Sequence, residues 1–314
     1  MAKVAFVFPG QGSQYVGMGR DLIEKFGSTK KFFEQANEVL GFDLKKLCFE
    51  GPEDELKKTE FTQPAILTVS AICLDALRSF KNIKVEAVAG HSLGEYTALY
   101  CGGAIDFKDA VKIVNLRGKF MQEAVPLGKG TMAAIMGLEK EKVMEICNNA
   151  SKKGVVEAAN INSPIQIVIS GEKNAVLKAM ELATKAGAKR AVELQVSAPF
   201  HSSLMKKAAE KLAEGLNKIQ ISDSKIPVVA NVTADYVIRS QEIKDLLVKQ
   251  MTGSVQWVDS IKKLSVDGFD SFIEIGPGSV LTGLIKRIDP KVKLYNISDT
   301  ETLGKFLQIW RDEL

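Results

Sequence analysis

The chain has 314 residues, 46% of them apolar and 25% charged, with 42 Lys and Arg against 38 Asp and Glu for a formal net charge of +4. That balance fits a globular protein with one large domain and room for a smaller insert, and its scattered lysines exclude the basic stripe of a nucleic-acid binder. No apolar run approaches the roughly 20 residues of a membrane span. In chain order, AFVF (5–8) predicts a buried strand that ends at the turn Pro9-Gly10-Gln11-Gly12. Helical patterns follow over 19–26 and 30–40, and apolar spacing predicts a buried helix over 62–80. VEAVAG reads as a strand, GEYTALYCGG as a helix stopped by two glycines, and 106–124 as a helix carrying Arg117. From about residue 130 the order becomes strand, helix, strand, strand, helix, strand, a ferredoxin-like unit over about 129–196. Beyond it come a helix over 202–218, the strand PVVANV, helices near 241–250 and 254–265, the strand SFIEIGPG, a helix over 279–287 and the strand KLYNIS. The expected fold is therefore α/β: a mostly parallel sheet covered on both faces, built from 1–128 and 197–314, with the insert at 129–196.

Four cysteines (Cys48, Cys73, Cys101 and Cys147) lie far apart, with no C-x-x-C pair and no neighbouring histidine. They predict reduced thiols in a cytoplasmic protein, and no metal. The N-terminal MAKVAFVFPGQGSQ lacks a typical signal-peptide core. A mildly basic surface suits an acidic protein partner, and the expected state is a monomer away from nucleic acid and membrane.

The segment AVAGHSLGEY sets Ser92 between two glycines where a strand meets a helix. This spacing predicts a nucleophile elbow, although glycine and serine also fill ordinary β–α turns. A serine hydroxyl needs a base, and the chain has only two histidines, His91 and His201. His91 belongs to the elbow, with its side chain expected to project away from that of Ser92. His201, in VSAPFHSSLM, is expected to open the helix after the insert and is the favoured base. No Asp or Glu between the two stands out as a third member; those glutamates read as helix or insert-surface charges. The PGQGSQ loop lacks the Lys-Ser/Thr of a P-loop, and Tyr15 stands where a dinucleotide fingerprint wants glycine.

PGQGSQ, GHSLGEY, the helical Arg117, SAPFHSSLM, NINSP followed by QIVISG, VANVTA, VQW and IEIGPG together resemble the malonyl-CoA:acyl carrier protein transacylases. The resemblance covers essentially the whole chain. It implies an α/β-hydrolase-like large domain with a ferredoxin-like insert. It also implies transfer of malonyl from malonyl-CoA to the phosphopantetheine thiol of acyl carrier protein, the loading step of fatty acid synthesis, without a metal or redox cofactor. By the same resemblance Ser92 is the nucleophile and His201 the base. Gln11 and Leu93 supply oxyanion-hole N–H groups, Arg117 grips the malonyl carboxylate, and the Gln250 carbonyl supports the base. Asn160 and Asn162 match a polar edge of the cleft. Phe200 would crowd the carbon between the two carboxyls and so favour malonyl over methylmalonyl. Ile165 departs from the family, where glycine is common, and bears only on a loop. The competing readings are a serine thioesterase acting on acyl-CoA and a non-catalytic acyl-binding component of a synthase.

Overall fold

The computed structural model describes residues 3–81, 83–196 and 198–312. Among these residues ten strands form two sheets: β1 Val4–Phe8, β2 Ala87–Gly90, β3 Gly130–Met136, β4 Val156–Ser163, β5 Gln166–Glu172, β6 Arg190–Glu193, β7 Val228–Val229, β8 Tyr236–Val237, β9 Ser271–Ile275 and β10 Lys293–Ile297. The larger sheet has the order β10-β9-β1-β2-β7-β8 and is parallel except for the β7–β8 pair. β1 reads VAFVF and is buried throughout, as a central parallel strand covered on both faces must be. Its side chains alternate between two cores. Val4, Phe6 and Phe8 join one apolar cluster with Val88 and Ile273, while Ala5 and Val7 join another with Ala87, Ala89 and Phe272.

β1 and β2 run in register, Phe8 beside Gly90, so their carboxyl ends open together. The loop after β1 carries Gln11, the turn after β2 carries Ser92, and the segment after the neighbouring β7 carries Asn231. A crevice at the carboxyl ends of adjacent parallel strands is where open α/β sheets place ligands.

The second sheet has the order β4-β5-β3-β6 and is antiparallel throughout, the ferredoxin-like arrangement the element order predicts. One face, with Ala133, Ile135, Ile167 and Ile169, packs on the helices Lys140–Ala150 and Lys173–Lys185. Met132, Ala134 and Val168, on the opposite face, join the main core. The isolated bridge from Asn160 to Val255 ties its edge to the rest of the chain. Ser197, where the chain is expected to return from the insert, lies outside the described residues.

Several elements differ from expectation. The helix expected over 62–80 is Thr59–Phe80, with Pro64 inside it. Proline leaves the carbonyl four residues back without its helical donor, and Asn115 Nδ2 fills that place by donating to Glu60 O at 2.8 Å. His201 does not open a helix: it sits at φ 57°, and the helix proper is Lys206–Leu216 after a short 3₁₀ turn. PVVANV keeps only two strand residues, because Asn231 turns away to bond the elbow. Helices Leu44–Glu50, Glu53–Leu56 and Thr300–Asp312 were not signalled by the pattern. All four cysteines are buried and unpaired. Among the described residues no helix is long and apolar enough to cross a membrane.

Candidate active site

The elbow is enforced by close backbone packing. A Cβ on Gly90 would lie 1.9 Å from the Gly94 carbonyl carbon, and one on Gly94 would lie 2.1 Å from the Phe8 carbonyl oxygen. Only glycine permits either approach. Between them Ser92 is held at φ 51°, a left-handed conformation unusual for serine, by the Asn231 Oδ1 that accepts its N–H at 2.6 Å. Among the described residues, Ser92 and His201 are two of three non-glycine residues with positive φ, the third being Ala234. Strain of this kind collects at functional sites.

Ser92 Oγ lies 2.7 Å from His201 Nε2, and His201 Nδ1 lies 2.8 Å from the Gln250 carbonyl oxygen. A carbonyl only accepts, so Nδ1 carries the proton and Nε2 is free to take the serine proton. Burial, then the Arg117 charge, pushes the imidazole down to about 3, and it rests neutral. Among the described residues no carboxylate bonds it.

Arg117 comes from the helix Phe107–Glu123, which is capped by Asp106 accepting from Asp109 N–H at 2.8 Å. Gly118 lets this helix cross the Thr59–Phe80 helix closely, since a Cβ there would lie 2.7 Å from the Glu60 Cα. Arg117 is 1% exposed. It donates to Gln63 Oε1 at 2.7 Å, Gln250 Oε1 at 2.8 Å and Ser92 Oγ at 3.1 Å. All three acceptors are neutral, and its Nε has no partner among the described residues. A buried cation held this way remains open to an anion beside the serine.

One cavity of about 110 Å³ is lined by Gln11, Ser92, Leu93, Arg117, Asn160, Phe200 and His201, which brings seven expected site residues together. Neither the Gln11 nor the Leu93 backbone N–H has a hydrogen-bond partner among the described residues. Thr59 fixes the Gln11 side chain by donating to its Oε1 at 2.9 Å, and Gln63 Nε2 donates to Thr59 at 2.9 Å. Gln250 stands behind the cavity. Asn162 does not line it, and instead its Oδ1 lies 2.7 Å from His91 Nε2. The His91 ring turns to Asn162 and to Trp257, 5.6 Å away, rather than to the serine oxygen, yet it lines the same cavity. Ile165 lies exposed on the turn between β4 and β5.

Sequence reasoning missed Gln63, Asn231 and Glu95, and the apolar wall of Met121, Met132, Leu194 and Val196. Glu95 is not the ordinary helix charge it resembles: it is 2% exposed and bonds Asn231 N and Gln250 Nε2. Its signal was a lone charge in an otherwise uncharged helix, GEYTALYC.

The acyl transferase domain family matches residues 5–308. A malonyl CoA-acyl carrier protein transacylase of Bacillus subtilis is 47% identical over all of this chain and 99% of its own length. One from Escherichia coli is 45% identical over 98% of this chain and 100% of its own. The solved transacylase of Clostridium perfringens superposes with a TM-score of 0.95 at 46% identity, covering 99% of this chain and 98% of its own. A malonyl-transacylase solved in complex with a type II polyketide synthase acyl carrier protein gives 0.96 at 44% identity, covering 98% and 100%. With this similarity along its whole length, the chain belongs to the acyl transferase family, among the malonyl CoA-acyl carrier protein transacylases.

Proposed function

We propose that the chain moves malonyl from malonyl-CoA to the phosphopantetheine thiol of an acyl carrier protein through a malonyl ester on Ser92. The observation that carries this reading is the buried Arg117, held by neutral acceptors 3.1 Å from a serine that already touches its base. Ser92 attacks the thioester carbonyl while His201 Nε2 takes its proton. The Gln11 and Leu93 N–H groups receive the oxyanion, each worth about 2.7–4 kcal/mol in the transition state. The histidinium, steadied by the Gln250 carbonyl, protonates the departing coenzyme A thiolate. The neutral imidazole so regenerated then takes the carrier thiol's proton as the sulfur attacks the ester, and returns that proton to Ser92 Oγ as the serine leaves. Arg117 pairs with the free carboxylate throughout, and a planar fork matches a carboxylate with two parallel bonds. Phe200 closes the space beside the central carbon, and Asn160 supplies polar edge. Residues 1–128 and 197–314 form the catalytic unit, with 129–196 as its insert, in a cytoplasmic protein.

Intact-mass measurement after mixing with malonyl-CoA alone tests this. One malonyl group should appear, on the peptide containing Ser92, and Ser92→Ala should carry none. An adduct that persists in a folded Ser92→Ala protein moves the nucleophile elsewhere. No adduct on the wild type, with coenzyme A not released, indicates a non-catalytic binding component.

A further inference from the structure

Glu95 is a buried carboxyl with no part in the chemistry above. It lies in the first turn of the Gly94–Cys101 helix, and its Oε2 accepts from Asn231 N at 2.9 Å and from Gln250 Nε2 at 2.8 Å. The other end of the same Gln250 amide, Oε1, accepts from Arg117. One side-chain amide thus stands between a buried cation and a buried acid that make no direct ion pair. We propose that Glu95 is the counter-charge of Arg117, a positioning residue acting through Gln250, and that it takes up a proton when an acyl carboxylate occupies that arginine. This rests on the acyl transfer reading above.

The surroundings isolate this pair. Of the strands packed on the helix, β1, β2 and β7 bring no titratable side chain. The Thr59–Phe80 helix brings Glu60, partly exposed in its first turn, and three groups turned elsewhere. Arg78 donates to Cys101 O, Asp75 pairs with Lys31, and Cys73 donates to Ser298 O. The Phe107–Glu123 helix brings Arg117. On its own helix Tyr96 is kept a neutral phenol by burial. Burial pushes the Glu95 carboxyl up to about 7, against the two hydrogen bonds and the Arg117 charge, so it changes charge near neutrality. A second carboxylate placed on Arg117 repels an ionised Glu95 and favours its protonated form. Serine acylation is itself proton-neutral, because the hydroxyl proton leaves on the coenzyme A thiol. Any uptake therefore reports a side event.

The test mixes the enzyme with excess malonyl-CoA or acetyl-CoA in weakly buffered solution near pH 7, containing an indicator dye, and counts protons per acyl-enzyme. Malonyl should draw a measurable fraction of a proton per site, and acetyl none. In parallel, the malonyl-to-acetyl ratio of kcat/KM should fall roughly tenfold from about pH 6 to about pH 9, as a one-unit change in acidity implies. Titration of His201 or of coenzyme A phosphates cancels in that ratio. Glu95→Gln offers one amide oxygen for the same two bonds, and should abolish the uptake and flatten the ratio. Malonyl-enzyme that forms with no more uptake than acetyl-enzyme overturns the proposal, as does a pH-dependent ratio that survives in Glu95→Gln. If that variant fails to fold, the wild-type proton count decides alone. Failure to form malonyl-enzyme at all instead overturns the transfer reading.

Discussion

His201→Ala should slow acylation of Ser92 by about 10²–10⁴, the usual contribution of a positioned general base. The expectation is at the high end because nothing nearby can replace it: His91 is engaged with Asn162, and Glu95 lies behind the elbow with its oxygen committed to Asn231 and Gln250. His201 occupies a left-handed turn, so alanine there adds backbone strain. His201→Asn tolerates that conformation and should lose the same rate, which separates chemistry from strain. The His201 imidazole of the wild type is already neutral, since burial and Arg117 hold it well below 6.5. Loss of rate through its protonation should therefore begin only well below pH 6.5. Stopped-flow acylation across pH on folded proteins checks both statements. Equal losses in His91→Ala and His201→Ala would make this assignment of the base untenable.

Arg117→Ala should lower kcat/KM for malonyl-CoA by at least about 10- to 150-fold, the worth of a charge-assisted pair of about 1.5–3 kcal/mol. The guanidinium is the cation that meets Ser92 Oγ in the cavity, and its other acceptors are uncharged amides. Acetyl-CoA has no carboxylate to lose. Its turnover should fall only as far as Ser92 depends on the 3.1 Å bond, so the malonyl-to-acetyl preference narrows or inverts. Steady-state kinetics of both thioesters decide it. Equal losses would mean that Arg117 orients the serine and that selectivity arises elsewhere.

Much of this site was legible in the sequence because its chemistry forces local patterns. A serine at a strained elbow needs glycines two residues to either side, and GHSLG displays them. Two histidines in the whole chain left one candidate base. The ferredoxin-like unit was readable from element order alone, and the burial of β1 from its all-apolar run. What stayed hidden depends on contacts distant in sequence. Asn231 bonds the elbow from 139 residues away, and its residue type alone suggests a loop. Gln250 was named only through the family resemblance, because the backbone carbonyl it offers to His201 is one any residue could offer; hidden altogether was its side chain, which ties Arg117, Glu95 and the Ser92 carbonyl together. Gln63 looks like a stray polar residue before a helix-internal proline, and only the close helix crossing at Gly118 brings it to Arg117. His201 seemed a helix start because the following residues are helical, yet its turn must reverse to aim the ring at Ser92.

The most direct test of transfer between two thiols is a chase of the isolated acyl-enzyme. Malonyl-enzyme is freed of coenzyme A and mixed with carrier protein bearing phosphopantetheine, and both masses are followed with time. The malonyl group should leave Ser92 rapidly and appear on the carrier, one for one, while without carrier the ester persists. Loss of the malonyl group as free malonate, at the same rate with and without carrier, would make the chain a thioesterase and contradict the account.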